Sequence, residues 1–111
     1  FNQKNYVLLV EDLPLLIKRQ KHSPLKSEML YYQAESHYKL GNLSEAAFLY
    51  NELLEKQSLP KKMSLIYQRV ADSFRHLGKR KVALIYYQEL EEKYPSSKEA
   101  VWAREQISKL Q

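Results

Sequence analysis

The chain has 111 residues, a net charge of +5, 44% apolar residues, two glycines, four prolines and no cysteine. That length bounds it to about one domain with enough apolar surface for a continuous core, while the missing cysteine excludes disulfides, thiolate metal sites and a cysteine nucleophile. No run approaches the roughly 18 consecutive apolar residues of a membrane span, and no low-complexity tract or linker divides the chain.

Apolar residues recur at helical spacing throughout, which predicts an all-α chain of six helices over 4–21, 24–40, 43–57, 59–77, 80–93 and 97–110. The first contains Pro14, which removes a hydrogen bond and crowds the preceding turn, so a kink or break is expected there. Pro24 opens the second helix, where a missing N–H costs little; Leu30, Ala34 and Tyr38 share its apolar face, and Gly41 stops it. Asn42 with Glu45 predicts a capped start for the third, whose inner face is Ala46, Tyr50 and Leu53. Pro60 falls in the first turn of the fourth, which carries Tyr67, Val70 and Phe74 and ends at Gly78. The fifth presents Ala83, Tyr87 and Leu90, Pro95 lies in the connection after it, and Ser96 with Glu99 predicts the cap of the sixth. Connections this short make consecutive helices antiparallel, so the second pairs with the third and the fourth with the fifth. The first and last helices flank these two hairpins.

The chain also matches itself. Ala34, Leu40, Gly41, Ala46, Tyr50, Glu52, Leu53, Glu55 and Lys56 return 37 positions later as Ala71, Leu77, Gly78, Ala83, Tyr87, Glu89, Leu90, Glu92 and Lys93. A fixed period in the range of about 20 to 50 residues signals stacked supersecondary units, each unable to bury its apolar face alone.

Placed on the hairpins, these residues resemble the tetratricopeptide repeat family, whose 34-residue unit carries small residues where paired helices touch. In a first unit at 27–60, Leu30, Ala34, Tyr38, Gly41, Ala46, Tyr50 and Leu53 take the motif positions. In a second at 64–97, Tyr67, Ala71, Phe74, Gly78, Ala83, Tyr87, Leu90 and Pro95 fall in the same register, and three extra residues, Lys61 to Met63, separate the units. The stretch Tyr6 to Pro24 resembles the second helix of an upstream unit, with Asp12 at the small-residue position; with 1–23 as an upstream flanking helix and 98–111 as a capping helix, one domain spans 1–111. The run Glu92-Lys93-Tyr94-Pro95-Ser96-Ser97 resembles a subtype common in bacterial envelope lipoproteins and periplasmic assembly coordinators, which implies a periplasmic or cell-envelope location.

The resemblance implies a superhelical stack with a concave groove lined by the first helix of each hairpin. Its ligand-facing positions correspond to Glu28, Tyr31, Glu35 and Tyr38, then Leu65, Gln68, Asp72 and Arg75, with Glu99 and Trp102 entering from the last helix. Tyr31, Tyr38 and Trp102 are rigid amphipathic anchors of the type enriched at binding hot spots, and Glu35, Asp72, Gln68 and Arg75 would pair a peptide's polar groups. Aromatics at helical spacing fill cores as readily, and Trp102 would equally seal the end of the stack. One subclass of the family grips C-terminal carboxylates with Lys and Asn at groove positions held here by Tyr31, Glu35, Gln68 and Asp72, which argues against that ligand.

No constellation for catalysis, a metal or a cofactor is legible. His22, His37 and His76 lack metal-ligand spacing and read as surface or groove residues. The adjacent acids Glu11–Asp12 and Glu91–Glu92 point to different faces, and both glycines serve as helix stops rather than a phosphate cradle. The expected function is therefore a noncatalytic scaffold or adaptor that binds a protein or peptide segment within a larger assembly of envelope or motility machinery. The alternatives are a nucleic-acid-binding helical repeat, suggested by the net charge but opposed by Glu28, Glu35, Asp72 and Glu99 in the groove, and a structural oligomerisation segment.

Overall fold

A computed structural model describes residues 24–111, and the expectations for a helix at 4–21 and an upstream half-repeat lie outside the described residues. The described chain is all-α, with helices α1 (Pro24–Leu40), α2 (Leu43–Lys56), α3 (Met63–His76), α4 (Arg80–Lys93) and α5 (Lys98–Leu110). Each helix packs against its neighbour in the chain, and α3 also meets α5. Two hairpins, α1–α2 and α3–α4, therefore stack side by side, with α5 laid on the second.

The helix stops follow the glycines. Gly41 and Gly78 adopt φ of +86° and +80°, a left-handed conformation that glycine enters without a Cβ penalty. This turns the following N–H groups back on the helix: Asn42 N donates to His37 O at 2.8 Å and Gly41 N to Tyr38 O at 3.1 Å. Lys79 N to Phe74 O and Gly78 N to Arg75 O repeat the pattern at 2.8 and 3.1 Å, satisfying carbonyls that a helix end otherwise orphans. α2 lacks a glycine, and Gln57 takes the left-handed position at φ +51°.

The starts differ from the sequence expectation. Asn42 precedes α2 without a side-chain cap. Ser97, not Ser96, caps α5, accepting a hydrogen bond from Ala100 N at 3.1 Å, and Glu99 turns across to α3 instead of reaching back. Pro60 opens a short 3-10 turn, Pro60–Lys62, so α3 begins only at Met63. The residues Lys61 and Lys62 thereby stand between the repeats instead of lengthening a helix.

The core runs between the paired helices. Ala34, Ala46, Ala71, Ala83 and Ala103 are fully buried, and Tyr50, Leu53, Ile66, Val70, Tyr87 and Leu90 fill the space beside them. Small residues at a crossing let two helices approach until their larger neighbours interdigitate. Ser36 and Ser73, also 37 apart, are equally inaccessible. Each hydroxyl donates to the carbonyl four residues back, Tyr32 O and Arg69 O, at 2.8 Å, so serine is accommodated where alanine would serve. On the opposite side, Tyr86 hydroxyl donates to Asn51 Oδ1 at 2.9 Å and ties α4 to α2.

His37 is buried rather than on the surface or in the groove. Its Nδ1 lies 3.3 Å from Asn42 Nδ2, an acceptor position open only to the neutral ring. Burial lowers its pKa, with a smaller opposing effect from the Glu45 charge. A depressed folded-state pKa means that the unfolded chain binds the proton more tightly. The contribution of His37 is thus complete above about pH 6.5 and is lost as pH falls through the lowered value. Acidification from neutral pH should therefore lower the thermal midpoint of the protein more than that of a His37→Gln variant, and equal shifts in paired melting curves would refute this. Replacing Ala83 by Leu should overpack the α3–α4 crossing and reduce stability by about 1–3 kcal/mol in chemical denaturation; an unchanged midpoint would mean that the crossing has room to spare.

Candidate partner-binding groove

The first helix of each hairpin and α5 face one another along one side of the stack, and their side chains meet. From α3, Arg69 reaches α1: its Nε donates to Glu35 Oε1 at 3.0 Å, and its guanidinium lies 4.7 Å from the Tyr38 ring centroid. From α5, Trp102 Nε1 donates to Asp72 Oδ1 on α3 at 2.9 Å, and the Arg75 guanidinium lies 5.9 Å from the Trp102 ring. Ser64 at the start of α3 donates to Glu99 Oε1 at 2.8 Å. Glu35, Tyr38, Asp72, Arg75 and Trp102 are thus brought to a common face.

Leu65 and Gln68 line a cleft of ≈ 600 Å³ on this face, bounded also by Lys61, Lys62, Ser64, Arg69, Lys98 and Glu99. Tyr31 is only 7% exposed; its ring meets Tyr50 edge-on at 6.4 Å, and Lys62 Nζ stands 4.9 Å from its centroid. Glu28 is exposed on α1 and does not line the cleft.

The two acids assigned to a ligand have intramolecular partners. Glu35 accepts from the Tyr50 hydroxyl of α2 and from Arg69 Nε and Nη2 of α3. Asp72, 5% exposed, accepts from the Tyr87 hydroxyl of α4 and from Trp102 of α5, with Arg75 Nη2 3.8 Å away. Each acid therefore receives a tyrosine from the second helix of its own hairpin and an N–H donor from the next helix on the groove side. Burial is the largest influence raising the Tyr50 and Tyr87 pKa values, reinforced by the adjacent carboxylates, so both hydroxyls stay protonated as donors. Tyr31 is pushed up to about 12, first by burial and then by the Glu35 charge. Burial acts against the charge of Arg69, but the charge and hydrogen bond of Glu35 outweigh it and raise its pKa.

This node was visible in the sequence as a second set of matches. Glu35 and Asp72 stand 37 apart, as do Tyr50 and Tyr87. Comparison by residue identity passes over the first pair because its members differ in length, although both end in a carboxylate. Lys61, Lys62 and Lys98 were missed for another reason: they lie outside the motif positions that mark the groove, and it is the short turn at Pro60 for the first two, and the start of α5 for the third, that bring them to the cleft.

Among the described residues no group of three or more His, Asp or Glu is arranged to hold a metal ion, and no helix is long and apolar enough to cross a membrane. Paired antiparallel helices in register, with a face built from alternate helices, define an α-helical repeat protein. A tetratricopeptide repeat profile matches residues 28–58 and 67–97, more than half of the chain, and the chain belongs to that family. Repeats of this family generally mediate protein–protein interaction and are generally noncatalytic. No curated protein matches the chain.

Changing Tyr87 to Phe removes the hydroxyl from Asp72 and leaves a buried carboxylate short of a donor. It should reduce stability by about 1.5–3 kcal/mol, the usual range for a hydrogen bond to a charged group. Denaturant unfolding with an unchanged midpoint would show that Trp102 and Arg75 satisfy Asp72 without it.

Proposed function

We propose that the chain is a noncatalytic scaffold whose concave face, formed by α1, α3 and α5, binds a segment of a partner protein, and that it works as one part of a larger assembly. The single observation that carries this reading is the cleft of ≈ 600 Å³ between α3 and α5, with Leu65 and Gln68 on its wall. Such a hollow suits the side chains of an extended or helical segment. Along the same face, Tyr38 under Arg69 and Trp102 beside Arg75 offer flat, rigid surfaces, which bind at a low cost in side-chain entropy. Glu35 and Asp72 act behind this surface by holding the tyrosines and arginines in place. The resemblance of residues 92–97 to envelope repeat proteins supports a bacterial envelope as the setting.

A Leu65→Ala/Gln68→Ala variant removes cleft contacts from two partly exposed positions without touching the buried nodes. Partner proteins recovered on the immobilised wild type should bind this variant about tenfold more weakly, equivalent to ~1.4 kcal/mol, with the helical circular dichroism unchanged. Equal affinity for both proteins would overturn the groove assignment.

A further inference from the structure

We propose that the segment received by this groove is acidic, and that Lys61, Lys62 and Lys98 bind carboxylate side chains along it. The proposal rests on the groove reading above and adds the chemical class of the partner.

The first support is where the charges come from. Lys61 and Lys62 belong to the extra residues that separate the two repeats, and the Pro60–Lys62 turn brings them to the cleft that Lys98, the first residue of α5, also lines. Two of the three lysines thus come from the residues between the repeats, and the third from the start of α5.

The second support is what faces those charges. The cleft is lined by Lys61, Lys62, Arg69 and Lys98, with Glu99 as the one carboxylate. Arg69 is neutralised by Glu35 at 3.0 Å. Glu99 is 6% exposed and accepts from Ser64. Among the described residues none of the three lysines forms an ion pair; Lys62 rests over the Tyr31 ring, and Lys61 and Lys98 point to solvent. Of the other groove acids, Glu35 is paired with Arg69 and Asp72 has Arg75 3.8 Å away, while Glu28 does not line the cleft. Like charges gathered on a concave wall with low-dielectric backing concentrate a positive potential, which an incoming carboxylate relieves. Gln68, whose side chain makes no hydrogen bond among the described residues, offers a donor and an acceptor to the peptide backbone.

A protein segment fits this arrangement better than a nucleic acid. Three lysines around one cleft match a few side-chain carboxylates, whereas a phosphate backbone needs a continuous track of free cations. Along the rest of the groove Arg69 and Arg75 are held by internal carboxylates.

The test uses short labelled peptides, acetylated and amidated so that no terminal carboxylate remains, composed of Leu and Ser with either Glu, Gln or Lys at alternate positions. Binding to the full chain is read by fluorescence anisotropy, and groove occupancy by the emission of Trp102, the single tryptophan. The Glu peptide should bind about tenfold more tightly than the Gln peptide, and weaken as salt is raised. Lys61→Glu/Lys98→Glu should cost a further factor of about ten, while Lys56→Glu/Lys81→Glu, exposed positions outside the cleft with the same change in net charge, should cost much less. Equal loss in both double variants, equal affinity for Glu and Gln peptides, or no binding of the Glu peptide would overturn the proposal. So would an oligouridylate that displaces the Glu peptide and is itself weakened by Lys61→Glu/Lys98→Glu, or binding only when the peptide's C-terminal carboxylate is left free. If the Gln or Lys peptide alters Trp102 emission and the Glu peptide does not, the acidic class falls and the groove stands; if none alters it, both fall.

Discussion

The described structure depends on one recurring interaction, a carboxylate on the groove side of each hairpin that is satisfied from two directions. Glu35 is held by Tyr50 and Arg69, Asp72 by Tyr87 and Trp102. A carboxylate withdrawn from water is costly unless hydrogen-bonded donors surround it. Each of these acids obtains one donor from within its hairpin and one from the next unit. The first bond fixes the pairing of helices inside a repeat, and the second fixes the stacking of one repeat on another. Alanine contacts allow the helices to approach, but apolar packing is non-directional. The acids add a direction, since only one relative placement of three helices satisfies every polar group.

That constraint shapes the proposed binding face. Because the acids are held by internal donors, what this face offers solvent is the half-buried rings of Tyr38 and Trp102, the guanidinium groups beside them, and lysines around the cleft. The polar groups that look most like ligand contacts in the sequence are the ones that build the wall. The groups at the mouth of the cleft come from a turn and a helix start, where side chains are free of the packing that locks the repeat.

Much of the fold was legible because its signals are local. A left-handed glycine stops a helix whatever surrounds it, and the 37-residue self-match located both hairpins through Ala34, Gly41, Ala46 and Tyr50 and their counterparts. Legibility declined where a side chain had competing partners. Glu99 could reach back to its own helix start or across to Ser64; it takes the crossing contact, and the cap is Ser97. Pro60 was compatible with the first turn of a helix and with a separate 3-10 turn. His37 stands one residue from Tyr38 near the end of α1, and its burial depends on how closely α2 folds back beneath Gly41 and Asn42.

By itself the sequence determined that this chain is helical, where most of its helices begin and end, and that it repeats, because periodicity, glycine stops and small residues at fixed spacing act within a few turns of backbone. Only the tertiary structure decided which polar residues face inward. The fate of Glu35, Asp72 and Trp102 depends on partners 15 to 34 positions away, Tyr50, Tyr87, Arg69 and one another, that are brought within hydrogen-bond distance by stacking. No local rule specifies whether a carboxylate on the concave side will meet a partner protein or a neighbouring helix; that is settled by desolvation, which makes the nearest buried donor the stronger claim.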